Sequence, residues 1–298
     1  MQNKHLQHPE DSILTGDLNV LDWFAEPAYV SVKFDGCPAI VWGTDPATGT
    51  FFVGTKAVFN KKKIRIAHSH EEIDLHYCGE VADILHTCYD SLPRTSSIYQ
   101  GDFIGFGGDT TYHPQAVSYV FPEVVTQSII IAPHTLYEAN YDLRDSWALP
   151  LLERLESTSE VMFVQPDAWQ DNKSFDEIVQ FARQMSTTVE FVSVKKAREI
   201  EKVINTFVKS GAELDADALA VAADCDVNLM RLWKLVKSIK EDRFELCATI
   251  GGPLAYIGKQ FVAAEGYVLS NEYGSYKLVN REVFSHYHFN HGRFACAS

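Results

Sequence analysis

The 298-residue chain has no excess of basic charge: 26 Lys and Arg stand against 40 Asp and Glu, a formal net charge of −14. Broad nucleic-acid binding draws most of its affinity from cations set against phosphates, so any such face here must be local. No apolar run reaches the roughly 18 residues that a membrane span needs. The opening MQNKHLQHPEDS has no apolar signal stretch. Both absences predict a cytoplasmic protein with no membrane partner. The six cysteines (Cys37, Cys78, Cys88, Cys225, Cys247 and Cys296) form no CxxC pair and no compact framework. Free thiols in a reducing compartment are the expectation, ahead of disulfides or zinc. There is no internal repeat, low-complexity tract or obvious linker.

What is present is a change of pattern along the chain. The first 145 residues read as strand-rich and turn-punctuated, as in AYVSVKF, AIVWGT, TFFVGTK and SIYQGDFIGF. AIVWG and TFFVG, joined by TDPATG, predict a hairpin. SFDEIVQFARQM, KKAREIEKVINTFVKSG and NLMRLWKLVKSIKED instead carry apolar residues at three-to-four spacing and predict amphipathic helices, with Gly211 at a helix C-cap. Leu232 and Trp233 are expected in the core. Strand character returns in QFVAAEGYVLSN and SYKLVN, which flank Glu-Tyr-Gly as a second hairpin. The order β-rich, helical, β-rich implies an α+β domain interrupted by a helical insertion, because the final strands need a sheet to join. The boundaries are 1–149, 150–250 for the insertion, and 251–298.

Four segments hold residues suited to nucleotidyl transfer: Lys33-Phe-Asp35-Gly36, Gly54-Thr-Lys56, Tyr99-Gln-Gly-Asp102-Phe and Glu265-Gly-Tyr-Val268, the last followed by Tyr276-Lys277. That chemistry needs an amine whose proton can be removed, cations around the α-phosphate, and acceptors for the ribose hydroxyls. Lys33 ends a strand and precedes an Asp35-Gly36 turn that would expose it as a nucleophile. Lys277 is a second cation for the phosphate, and Lys56 can reach the ribose or phosphates. Glu265 can hold a metal or orient Lys33, and Asp102 is a ribose or metal ligand. Taken singly, each motif is an ordinary turn or strand end. Their order along one chain is what carries the reading. The run Asn60-Lys61-Lys62-Lys63-Ile-Arg65 is the densest positive charge, either a solvated loop or a contact for nucleic acid or triphosphate. The histidines of HYHFNHG, with His286 and His288 alternating as on a strand, read as surface groups.

These motifs resemble those of the covalent nucleotidyltransferase superfamily: ATP-dependent DNA ligases, RNA ligases and mRNA-capping enzymes. The run from KFDGCPAIVWG to GTKAVFNKKK also resembles uncharacterised proteins of tailed phages, which implies host cytoplasm as the setting. The resemblance covers residues 28–104 and 260–285. It implies Lys33 as the nucleophile within a nucleotide-binding KxDG motif that includes Asp35 and Gly36. It further implies Lys56 as a nucleotide-binding cation, Asp102 and Glu265 as nucleotide- and metal-binding carboxylates, and Lys277 as a phosphate-binding lysine. ATP, with GTP as the other choice, and Mg²⁺ or Mn²⁺ are the implied cofactors. A 5′-phosphate end of RNA or nicked duplex is the implied partner. The implied fold is an ATP-grasp-like domain of two antiparallel sheets around a cleft. Three features depart from the family pattern: Val279 stands where a second lysine is usual, Asp102 where Glu is commoner, and Ser31 where many DNA ligases place an acidic residue. The roughly twenty residues after Lys277 are too few for an OB domain, which favours a compact ligase. The alternatives are a catalytically degenerate nucleotide- or protein-binding module, or transfer to an acceptor other than nucleic acid.

Overall fold

The structure, a computed structural model, describes residues 6–291. It begins with two short helices, α1 (Pro9–Ser12) and α2 (Asn19–Ala25), and strand β1 (Tyr29–Lys33). The hairpin of β2 (Ala39–Thr44) and β3 (Phe51–Thr55) comes next, then helices α3 (His70–His76) and α4 (Glu80–Ser91). Strands β4 (Ile98–Phe106), β5 (Thr111–Tyr112), β6 (Val117–Val120) and β7 (Ile129–Glu138) follow, and then β8 (Trp147–Pro150), β9 (Val161–Phe163) and β10 (Asp167–Gln170). Four consecutive helices come after them: α5 (Asp176–Ser186), α6 (Val194–Ser210), α7 (Ala216–Ala223) and α8 (Val227–Glu245). The chain closes with β11 (Cys247–Ile250), β12 (Leu254–Ile257), β13 (Gln260–Val262), β14 (Gly266–Asn271), β15 (Gly274–Val279) and helix α9 (His286–His291).

The class is α+β, with strands that pair antiparallel except for β9 beside β7. The described residues form four sheets rather than the expected two. The largest runs β3-β2-β4-β7-β8 with β9 alongside, a second runs β13-β12-β6-β5, a third is β1-β14-β15, and β10 pairs with β11. Alternation explains the layering. On the large sheet, Ile40, Trp42, Val53, Tyr99, Phe103 and Ile131 point to one side and pack under α3 and α4. In the three-stranded sheet, Val30, Tyr267, Leu269, Tyr276 and Leu278 point into a core shared with α2 and α5–α8, which includes the fully buried Trp233.

The helical block forms where the pattern predicted it. Ser193, Asp215 and Asp226 accept N-terminal backbone N–H groups of α6, α7 and α8. Gly211 ends α6 in the left-handed conformation at φ 70°. Other expectations are corrected. The segment 150–175 carries β9 and β10, and helix starts only at Asp176. The front stretch contains α1–α4, whose short amphipathic faces are masked by neighbouring strand signals. QFVAAEGYVLSN is two strands in different sheets, because β13 pairs with β12 while β14 pairs with β1 and β15. His286 and His288 lie on helix α9, not on a strand. Among the described residues, Cys37, Cys78, Cys88, Cys225 and Cys247 form no disulfide. Cys296, Gly292 and the opening Met1–His5 lie outside the described residues.

A buried ionic knot fastens the N-terminal segment to α8 and the chain after β15. Lys240 Nζ donates to Glu10 Oε1 at 2.7 Å and to the Val279 carbonyl at 3.3 Å. Arg281 pairs with Glu10 at 3.2 Å and donates to Asp11, and Trp233 Nε1 donates to Asp11 Oδ1 at 3.1 Å. Removing one partner strands a buried charge, which costs more than the intact pair contributes. Arg281→Met is therefore expected to lower stability by about 3–5 kcal/mol, measured by urea denaturation at neutral pH.

Candidate functional site

The three-stranded sheet brings distant segments together. In its register Lys33 lies opposite Gly266, which lies opposite Val279; Ser31 lies opposite Val268, which lies opposite Lys277. Residues paired across antiparallel strands share a face, as do alternate residues along one strand. Lys33 and Lys277 thus project from the face turned away from the helices. Glu265 immediately precedes β14, and both its carboxylate oxygens accept from Lys33 Nζ at 2.6 Å. Gly266 is required here because a β-carbon would stand 2.2 Å from the Leu278 carbonyl oxygen.

The large sheet contributes the other groups. Asp102 on β4 pairs with Ala39 of β2 and Ala132 of β7, on the face opposite α3 and α4. Lys56 follows β3 in a single 3₁₀ turn capped by Thr55. Asp102 acts electrostatically on both Lys33 and Lys56. Lys33, Lys56, Asp102, Glu265 and Lys277 therefore form one cluster, drawn from both sheets.

Asp35 and Gly36 have a different part. The Asp35 carboxylate accepts from the backbone N–H groups of Ala116 at 2.7 Å and Val117 at 3.0 Å, and its own N–H donates to Tyr119 Oη at 2.6 Å. These bonds end β1 and pin the turn to β6. A β-carbon on Gly36 would lie 2.6 Å from the Phe103 carbonyl oxygen and 2.7 Å from Asp102 Cβ. Only glycine lets the turn lie flat beside Asp102. Both residues shape the site from beneath Lys33.

Burial raises the proton affinity of Glu265 to about 8, with Asp35 and Asp102 adding to the effect and Lys33 opposing it. Burial works against charge on Lys33, but Glu265, Asp102 and Asp35 outweigh it and hold the amine as an ammonium. Lys277 is pulled down to about 8 by burial, then by Lys33 and Arg281, against the weaker pull of Asp11 and Glu265. Burial also lowers Lys56, with Asp102 opposing and Lys33 adding. Among the described residues, neither Lys56 nor Lys277 has a side-chain hydrogen bond or ion pair. Two partly buried cations without counter-ions beside a third, paired one make a receptive site for an anion.

Two groups of residues escaped the sequence reading. His134 lies 3.7 Å from Asp102 and 3.3 Å from Gln100 Nε2, while Tyr137 donates to Gln100 Oε1 at 2.8 Å. They form a polar patch along β4 and β7 next to Asp102. His8 sits on the N-terminal segment whose neighbour Gln7 accepts the Lys277 backbone N–H at 3.1 Å. Neither has a motif, since a lone His or Gln in a strand-like run gives no periodic or spacing signal.

Residues 3–225 and 216–293 match the profile of a family of unknown function, DUF6267. No curated protein and no solved structure matches the chain.

The Lys277 charge costs stability in the free protein. Its folded proton affinity lies below that of an unfolded lysine, so the folded state binds fewer protons between the two values and stability rises with pH across that window. Lys277→Met is expected to stabilise the protein by about 1–2 kcal/mol at neutral pH. The advantage should shrink as pH rises from about 8 toward about 10.4, read by denaturant titration at several pH values.

Proposed function

We propose that this chain, which belongs to the DUF6267 family, is a covalent nucleotidyltransferase that builds a lysyl-NMP on Lys33 and passes the nucleotide to a polynucleotide 5′-phosphate. The observation that carries the reading is the cluster of Lys33, Lys56 and Lys277 with Glu265 and Asp102. They come from segments up to 244 residues apart in sequence, and among the described residues Lys56 and Lys277 form no ion pair. In this reading the sheets carrying Lys33 and Asp102 are the two walls of an ATP-grasp-like cleft, and the helices from Asp176 to Glu245 are an insertion that supports the wall bearing Lys33.

The first step follows from the charges. A triphosphate lying between Lys56 and Lys277 supplies the negative charge that these buried cations lack. Lys33 must lose a proton before it can attack. Glu265 touches that amine through both oxygens, which makes it the group placed to accept the proton. The Lys33 Nζ lone pair then forms a bond to the α-phosphorus, the bond from phosphorus to the bridging oxygen breaks, and pyrophosphate leaves with that electron pair. Lys277 and Lys56 offset the charge that develops on the phosphate oxygens.

Mg²⁺ or Mn²⁺ would add charge neutralisation on the phosphates when bound. Among the described residues no three His, Cys, Asp or Glu converge on a metal position. Asp102 and Glu265 are the residues that would hold a hydrated cation together with substrate phosphates. ATP is the preferred nucleotide and GTP the other choice. For the acceptor, Lys61, Lys62, Lys63 and Arg65 are exposed directly after the Lys56 turn. They give a local basic surface in a chain of net charge −14.

Incubation with α-labelled ATP and Mg²⁺ is expected to add an AMP-sized mass to the protein, reversed by pyrophosphate. Lys33→Ala should abolish the adduct, and Glu265→Gln should slow its formation by about 10²-fold or more. An adduct that persists in Lys33→Ala would refute the nucleophile. Binding to nicked duplex should weaken steeply with salt, and replacing Lys61, Lys62 and Lys63 by Ala should flatten that dependence by up to about three charges. Salt-independent binding would redirect the second step to another acceptor.

A further inference from the structure

The N-terminal segment places one more titratable group against the cluster. His8 is 7% exposed and precedes α1, where the chain runs along the free edge of β15. The bond from the Lys277 N–H to the Gln7 carbonyl fixes that course. The groups that act on the His8 ring come from every element around it: Arg281 after β15, Lys277 on β15, Lys240 on α8 and Lys33 on β1, with Glu10 on α1. Burial, followed by those four cations, keeps the ring neutral by lowering its proton affinity well below the usual histidine range.

Its hydrogen bonding is incomplete. His8 Nδ1 is buried without a partner, and so is Glu10 Oε2. Nδ1 stands 3.9 Å from Glu10 Oε1, too far for a hydrogen bond. Buried polar atoms without partners are uncommon and ask for a reason. Here an imidazole nitrogen stands near a carboxylate one proton short of a charge-assisted bond, and four cations act on the ring.

We propose that His8 is the proton-binding part of the anion site: when a polyphosphate settles between Lys33, Lys56 and Lys277, His8 takes up a proton from solvent, closes its hydrogen bond to Glu10 and adds one positive charge to the site. The inference rests on the polyphosphate-binding reading above and names the group that couples it to protons. The phosphates offset Lys277 and Lys33, two of the four cations that, after burial, hold the ring neutral. A modest ring rotation then brings Nδ1 within reach of Glu10 Oε1 and gives the buried nitrogen a partner. Anion binding and proton uptake are thereby linked, each favouring the other.

Inorganic tripolyphosphate and ATP serve as probes, with calorimetry at pH 7 in two buffers of different ionisation enthalpy to count protons. The wild type is expected to take up up to about one proton more per ligand than His8→Asn or His8→Gln. Comparison at one pH cancels the protons released by the ligand itself and those exchanged by Lys277. Because either variant could be poorly folded, the decisive reading is made on the wild type. With ¹³C-labelled histidine, the His8 resonance, assigned by its loss in His8→Asn, should move from the neutral to the protonated position as tripolyphosphate is added. A His8 resonance that stays neutral at saturating tripolyphosphate overturns the proposal while leaving the nucleotidyltransferase reading intact. Tripolyphosphate and ATP that fail to bind overturn both. AMP labelling of Lys33 without any His8-dependent proton uptake upholds the reading and refutes the role of His8.

Discussion

The pairing of β1 with β14 is the constraint on which the rest depends. It joins Lys33 to Gly266 across more than 230 residues of chain, and from it follow the Lys33–Glu265 contact and the position of Lys277 one strand further on. Closing so long a loop costs entropy that only extensive burial can offset. The back face of this small sheet meets that need by packing Val30, Leu269, Tyr276 and Leu278 against the helical block. The helices thus have a physical role in the site even though none of them presents a residue to it. They back the sheet whose other face carries the lysines.

The same geometry explains why the site is costly in the free state. Partly buried lysines without counter-ions, a carboxylate with raised proton affinity and a neutral histidine among cations are all arrangements that folding alone disfavours. The ionic knot of Glu10, Asp11, Lys240 and Arg281 pairs its charges with one another, and Asp11 offers Lys277 only a weak pull. Stability and function pull apart here. In the proposed reading, a ligand that brings several negative charges in a small volume offsets that cost.

Much of the framework was legible in the sequence because its signals are local. The β2–β3 hairpin, β4, the β14–β15 hairpin and helices α5, α6 and α8 each show a period or a turn within a dozen residues. The errors share a cause: adjacent short elements blur one another. α3 and α4 lie between strong strand signals. QFVAAEGYVLSN reads as one continuous apolar run although the chain changes sheets near Glu265. At the site, the Lys33, Asp102, Glu265 and Lys277 segments were legible as motifs, while His8, Gln100 and His134 were not. Those three gain meaning only from neighbours far away in sequence.

Sequence by itself determined which side chains exist for chemistry, and the local geometry that offers them. An alternating strand ends in Lys33, a turn follows whose glycine permits close approach to β4, and a carboxylate stands one residue ahead of another strand. Tertiary structure decided what those side chains are. It anchored Asp35 on the β6 backbone, paired Lys33 with Glu265 and, among the described residues, gave Lys56 and Lys277 no side-chain hydrogen bond or ion pair. It also brought His8 in from the start of the chain. The physical reason is that charge states and partners are set by distance and burial, and both are properties of the packed chain that no local pattern of residues encodes.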